Sequence, residues 1–192
     1  ALRTGGRWQD IEAAISDDCV FRRARLRVVD MDGGQPKKRG GVIYFHQEKV
    51  VVRGNFTLPI GFNIWIPMNG DDLTTNHDVP GLQFLIGAPE GAVAKEFETD
   101  EAYKSVMKRL DGISQEAAEL GTETVELDGY TFFRPHMKLG DILVFDHHVP
   151  HSSFVPPNAK AARVSCELRV FPRKGMPDGV DDSLGFGVSG TA

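Results

Sequence analysis

Alternation of apolar and polar positions dominates this chain and predicts strands on either side of one helical stretch. Residues 21–29 (FRRARLRVV), 41–52 (GVIYFHQEKVVV), 59–68 (PIGFNIWIPM) and 82–87 (LQFLIG) are rich in β-branched and aromatic side chains, which suit a pleated, half-buried surface. Asp32-Gly33-Gly34 and Asn69-Gly70 supply turn signals in this region. From Thr99 to Leu110 the pattern changes: a Thr cap, acids in the first turn, bases in the last, and Ala102, Val106 and Leu110 in a four-residue rhythm predict a helix. Residues 114–120, followed by Gly121, predict a second short helix. Strand character returns over 122–127, 130–134, 141–146 and 161–171. The Gly-rich tail at 175–192, with Asp178, Asp181 and Asp182, is expected to be mobile or to act as a flap that orders on binding.

Composition narrows the class. With 192 residues, 41% of them hydrophobic, the chain can bury a sizeable core but is too short for two ordinary domains, so one domain over 1–192 is expected. Lys and Arg total 22 against 27 Asp and Glu, a net charge of −5, which gives no global field for nucleic acid. A local basic cluster stands out at Arg22, Arg23, Arg25 and Arg27, with Lys37-Lys38-Arg39 close behind. Its expected role is a solvated strand edge whose charges discourage pairing, ahead of an anionic-substrate patch. Two cysteines, Cys19 and Cys166, provide neither a disulfide framework nor a paired-cysteine zinc motif. No apolar run approaches a membrane span, and a cytoplasmic location is the expectation.

Candidate chemistry begins at His46-Gln47-Glu48. On a strand, side chains two apart project from one face, so His46 and Glu48 can reach one metal together. The segment GDILVFDHHVPHSS, residues 140–153, offers a third ligand at its end, His151. Two imidazoles and a carboxylate bind one face of a divalent iron and leave the other open. A triad drawn from an early and a late strand suits two packed sheets in the form of a double-stranded β-helix, or jelly roll. His147 and His148 compete for the post, but His151 alone stands in a His-Ser context with Arg163 twelve positions on.

Arg163 and Ser165 share a face by the period of two, and a guanidinium beside a hydroxyl is a fitting receptor for a small dicarboxylate. Periodicity by itself says otherwise. Ala162, Val164, Cys166, Leu168 and Val170 form the apolar face, which makes Arg163, Ser165, Glu167 and Arg169 the solvated side of a half-exposed strand unless that side lines a barrel mouth.

Taken in order, His46-Gln47-Glu48, the strand FNIWIPM followed by GLQFLIGAPEG, the segment GDILVFDHHVPHSS and Arg163-Val164-Ser165 resemble the iron(II)- and 2-oxoglutarate-dependent oxygenases of the phytanoyl-CoA dioxygenase type, over about residues 40 to 171. The resemblance implies iron(II) held by His46, Glu48 and His151. It also implies 2-oxoglutarate anchored by Arg163 with Ser165, and a small organic substrate hydroxylated by molecular oxygen with release of succinate and carbon dioxide. Glu48 stands where the family usually has aspartate, and Ile86-Gly87-Ala88-Pro89 replaces its usual proline-glycine-serine-histidine turn. A carboxylate at 48 argues against the halogenating relatives. A non-catalytic jelly-roll binding domain, and a cupin-like metalloenzyme in which Arg163 binds substrate, are the other classes open. Unpaired sheet edges of such a fold allow a homodimer.

Other polar residues read more plainly. His77 is expected to be a solvated loop residue; His136 and Arg134, before the Gly140-Asp141 turn, pack that turn or face the pocket. Trp65, Phe62 and Phe84 are expected in the core.

Overall fold

The structure is a computed structural model. It describes residues 19–29, 31–32, 35–36, 45–47, 52–53, 56–57, 61–69, 80–89, 100–118, 120, 123–157, 159, 161–172 and 185–189. Glu48, His77 and the basic triplet at 37–39 lie outside them. The described elements are mainly β, with one helix. In chain order the strands are β1 (Cys19–Val29), β2 (Met31–Asp32), β3 (Gln35–Pro36), β4 (Val52–Arg53), β5 (Phe56–Thr57), β6 (Phe62–Pro67) and β7 (Gly81–Gly87). After helix α1 (Asp100–Ala118) come β8 (Thr124–Leu127), β9 (Tyr130–Phe133), β10 (Leu143–Asp146), β11 (His151–Phe154), β12 (Arg163–Pro172) and β13 (Gly185–Ser189).

Two sheets carry the architecture. The larger has the order β10-β6-β12-β1-β13 and the smaller β11-β7-β9-β8. All pairings are antiparallel except β1 with β13, which run parallel. The chain alternates between sheets, from β6 to β7 and from β10 to β11. The inner faces share a cluster in which Trp65, Leu143 and Phe145 of the larger sheet meet Leu82 and Phe84 of the smaller. On the outer face of the smaller sheet, Leu85, Val125, Tyr130 and Phe132 pack with Phe45 against Met107, Leu110, Ile113 and Ala117 of α1.

Two turns explain how β10 and β11 are placed. Gly140 takes a φ of 92°, a left-handed conformation that favours glycine. The next residue closes the turn: Asp141 Oδ2 accepts from Lys138 N at 2.7 Å, and Asp141 N donates to Lys138 O at 3.0 Å. Between the strands, Asp146 Oδ1 accepts from His148 N at 2.7 Å and Asp146 O from Val149 N at 3.1 Å. That tight turn carries the chain from one sheet to the other and ends at His151. At β8–β9, Asp128 and Gly129 have φ of 52° and 78° and form a two-residue hairpin loop with positive φ at both positions.

Several expectations are corrected. The predicted break between two helices does not occur: α1 runs through Gly112 to Ala118, because Met107, Leu110, Ile113 and Ala117 make one continuous apolar stripe whose burial outweighs the glycine. Lys108 and Arg109 consequently lie in mid-helix. Within the tail, Gly185–Ser189 is paired to β1 from Arg23 to Arg27. That pairing also overturns the strand-edge reading of the arginine cluster, since β1 lies between β12 and β13.

Two glycines test this account. Gly112 is exposed, and a Cβ added there meets nothing within 4 Å; Gly112→Ala should stabilise the protein by roughly 0.5–1 kcal/mol in urea unfolding. At Gly61 an added Cβ would lie 2.0 Å from Val170 O. Gly61→Ala should therefore destabilise by more than about 2 kcal/mol in the same assay.

Candidate metal and anion site

His46 and His151 meet across the sheet. Each backbone N–H donates to the other's carbonyl, His46 N to His151 O at 3.0 Å and His151 N to His46 O at 2.9 Å. The rings stand with centroids 4.3 Å apart. His151 begins β11 and pairs with Phe84 of β7, and Leu85 N donates to Pro150 O at 2.9 Å, extending that ladder by one residue. The ring of Phe45 is buried at the outer face against Phe132, with centroids 5.7 Å apart. Strand alternation then turns His46 inward. The helix fastens the same segment from behind, where Asp111 Oδ1 accepts from Phe45 N at 2.7 Å. Burial raises the Asp111 carboxyl above its usual value, against the opposing pull of that hydrogen bond and of His46.

The tautomer of His151 follows from its partner. Nδ1 lies 2.9 Å from Val149 O; a carbonyl only accepts, so Nδ1 carries the proton and Nε2 keeps its lone pair. Burial, then the nearness of His46, holds this imidazole well below its ordinary pKa. A neutral ring with one nitrogen tied to the backbone is the form in which histidine ligates metals. Its neighbours in sequence do other work. His147 Nδ1 accepts from Gly61 N at 3.2 Å and its ring meets Phe171, while His148 is exposed beside Asp146.

A cavity of about 20 Å³ opens at the pair, lined by His46, His151, Asn63, Trp65, Phe145 and Glu167 among others. It holds about one water-sized body. Among the described residues no group of three His, Cys, Asp or Glu side chains is arranged to hold a metal; the third ligand expected from the sequence, Glu48, falls outside them.

On β12 the polar face turns inward, contrary to what periodicity alone suggests. Arg163 and Ser165 are both 0% exposed, whereas Val164, Cys166 and Leu168 are only partly buried. Asn69 fixes the start of this strand, its Nδ2 donating to Ala162 O at 2.8 Å and its Oδ1 accepting from Val164 N at 2.6 Å. The Arg163 guanidinium donates to Gly81 O and, at 3.4 Å, to Ser153 Oγ, and lies 5.6 Å from the Trp65 ring centroid. Its Nε, like Ser165 Oγ, is buried with no hydrogen-bond partner. Burial pulls its pKa down to about 10, with Glu167 opposing and Arg27 adding to that effect.

Sequence reasoning missed the carboxylate beside this arginine. Arg27, 6% exposed, grips Glu167 with both ends of its fork, Nε to Oε1 at 2.6 Å and Nη2 to Oε2 at 3.0 Å. The signal was present in the alternation: Arg25 and Arg27 share a face, and the register sets Arg25 opposite Glu167 and Arg27 opposite Ser165. Instead of a solvated edge, this row of β1 faces the interior.

No family model matches the chain, and no curated protein matches it significantly. No helix among the described residues is long and apolar enough to cross a membrane.

The depressed pKa of His151 has a consequence for stability. In the unfolded chain the imidazole returns to about 6.5, so below that pH the unfolded state binds a proton that the folded state refuses. Stability should fall as pH drops from about 6.5, and this contribution is absent above it. In metal-free protein, the urea midpoint of His151→Phe should change less between about pH 7.5 and 5.5 than that of the wild type. Equal changes would contradict the assignment.

Proposed function

We propose that the chain is an iron(II)- and 2-oxoglutarate-dependent dioxygenase of the phytanoyl-CoA dioxygenase type, built on a double-stranded β-helix. The observation that carries this reading is the inward-facing pair His46 and His151, brought together by an isolated β-bridge from segments remote in sequence. His46, Glu48 and His151 would hold the ferrous ion, and the neutral, backbone-tethered His151 fits that task. Bound there with 2-oxoglutarate, iron supplies oxygen activation coupled to decarboxylation of the cosubstrate to succinate and carbon dioxide.

The remaining work belongs to the chain's own residues. Arg163 binds the far carboxylate, and Ser165 adds a second donor: a buried guanidinium nitrogen and a buried hydroxyl, both without partners, are costly to leave unmet and are satisfied by an anion. Trp65 and Phe145 exclude water from the histidine pair. Glu167, held by Arg27, presents a fixed carboxylate on the cavity wall, which positions polar groups of a substrate. The double-sheet form, with β6 to β7 and β10 to β11 crossing between sheets, supports the jelly-roll assignment.

One observation favours a second reading. A cavity of about 20 Å³ is far smaller than an ordinary ligand pocket, as in a jelly-roll domain that binds a metal without turnover. Iron content together with substrate-stimulated succinate release separates the two.

Anaerobic addition of iron(II) and then 2-oxoglutarate should produce a visible metal-to-ligand charge-transfer band, and Glu48→Ala or His151→Ala should abolish it. An intact protein without the band, or variants that keep it, would refute the dioxygenase reading. Arg163→Leu should raise the 2-oxoglutarate concentration for half-saturation by about 10- to 100-fold while iron binding stays nearly unchanged. Equal loss of both would make Arg163 a structural residue.

A further inference from the structure

Arg134 lies outside the site described above. Its backbone N–H donates to Glu123 O at 2.8 Å, carrying the β8–β9 ladder one residue past Phe133. Phe133 pairs with Phe84, and Gln83 with Ser152. The register therefore puts Arg134, Gln83 and Ser152 in one row across three strands, on the outer face of the smaller sheet. The guanidinium carbon sits 4.2 Å from the ring centroid of Phe154, two residues along β11 on the same face. Arg134 is 1% exposed, yet Nε, Nη1 and Nη2 all lack a hydrogen-bond partner. Gln83 Oε1 is also buried and unpartnered, while Gln83 Nε2 donates to Ser152 Oγ at 3.0 Å.

A guanidinium has five N–H donors at its edge and cannot escape burial by losing a proton near neutral pH. Burial draws its pKa down only to about 10. The Phe154 ring meets the face of the cation and leaves the edge donors unmet. Turning the Gln83 amide end over lets Ser152 spend its one O–H on Oε1 and leaves the amide NH2 as a further unpaired donor beside the guanidinium. Such a donor set, in water-poor surroundings, calls for a compact acceptor with a negative charge.

We propose that Arg134, with the Gln83 amide that Ser152 orients, forms a site for a small oxyanion, a carboxylate or a phosphate. The site is separate from the anion receptor at Arg163. The two guanidinium groups flank β11 from opposite faces: Arg163 reaches Ser153 on the inner side, and Arg134 stacks on Phe154 on the outer. Occupancy at Arg134 therefore bears on the strand that carries His151, without any role in the chemistry there.

Thermal unfolding in a zwitterionic buffer, titrated with sodium phosphate, sodium acetate or sodium chloride at matched ionic strength, tests this. Wild type and Arg163→Leu should gain stability saturably with phosphate or acetate and not with chloride, and the double variant Arg163→Leu/Arg134→Met, which lacks both guanidinium groups, should show no such gain. Saturation with phosphate alone identifies a phosphate site, with acetate alone a carboxylate site. In the absence of either anion, Arg134→Met should unfold at a higher temperature than the wild type, because it removes an unpaired buried charge. No saturable dependence in Arg163→Leu, the same dependence in Arg163→Leu/Arg134→Met, or a lower unfolding temperature for Arg134→Met than for the wild type without anion would overturn the proposal. Should Arg134→Met fail to fold, Arg134→Lys keeps the charge and loses the planar fork; it should weaken the anion's half-saturation about tenfold, and unchanged affinity would overturn the proposal equally.

Discussion

The reciprocal backbone bonds between His46 and His151 are the constraint on which the site rests. They bring together two segments more than a hundred residues apart in sequence, and they do so through main-chain groups that any residue type could supply. Side chains then decide what the junction is for. Phe45 anchors one segment in the core beneath α1, Asp111 accepts its amide, and Gln47 Nε2 reaches back to His148 O at 2.6 Å. The imidazoles are therefore held by packing on the outer face of the sheet although they point to the inner one. A rigid shell of this kind holds the two imidazoles close together.

Charge inside the protein follows the same logic. Along its first half the inner face of β12 carries Arg163, Ser165 and Glu167, while Val164, Cys166 and Leu168 alternate onto the outer face. In a half-exposed strand the apolar face is the cheap one to bury, so the reversal needs compensation. Arg27 supplies it for Glu167 through a bidentate ion pair. Arg163 is only partly compensated, by Gly81 O, a long contact to Ser153 and the Trp65 ring. Incomplete satisfaction at a buried cation is costly in a free-standing fold and is useful where an anion completes it.

Much of this was legible in the amino-acid order. Strands β1, β6, β7 and β12 follow from alternation and β-branched content, and the Gly140-Asp141 turn from its residue types. Trp65 and Phe84 are buried as expected, at 1% and 0% exposure. The unbroken run of α1 was not legible, because Gly112 and Ser114 carry local break and cap signals that a long apolar stripe against β8 and β9 overrides. Nor was the inward turn of Arg27 and Arg163. Periodicity tells which residues share a face, but which face meets the interior depends on how two sheets pack. Arg134 was expected to pack the Gly140-Asp141 turn or to face the pocket, and its place on the outer face was not legible, since it depends on Phe154, twenty residues away and on another strand.

The central claim is that His46 and His151 together, and neither His147 nor His148, bind one ferrous ion. Anaerobic equilibrium dialysis of iron(II) tests it most directly. The account predicts one equivalent bound by the wild type and by His148→Ala, and binding lost in both His46→Ala and His151→Ala. Full retention of iron in either of the last two variants would contradict it.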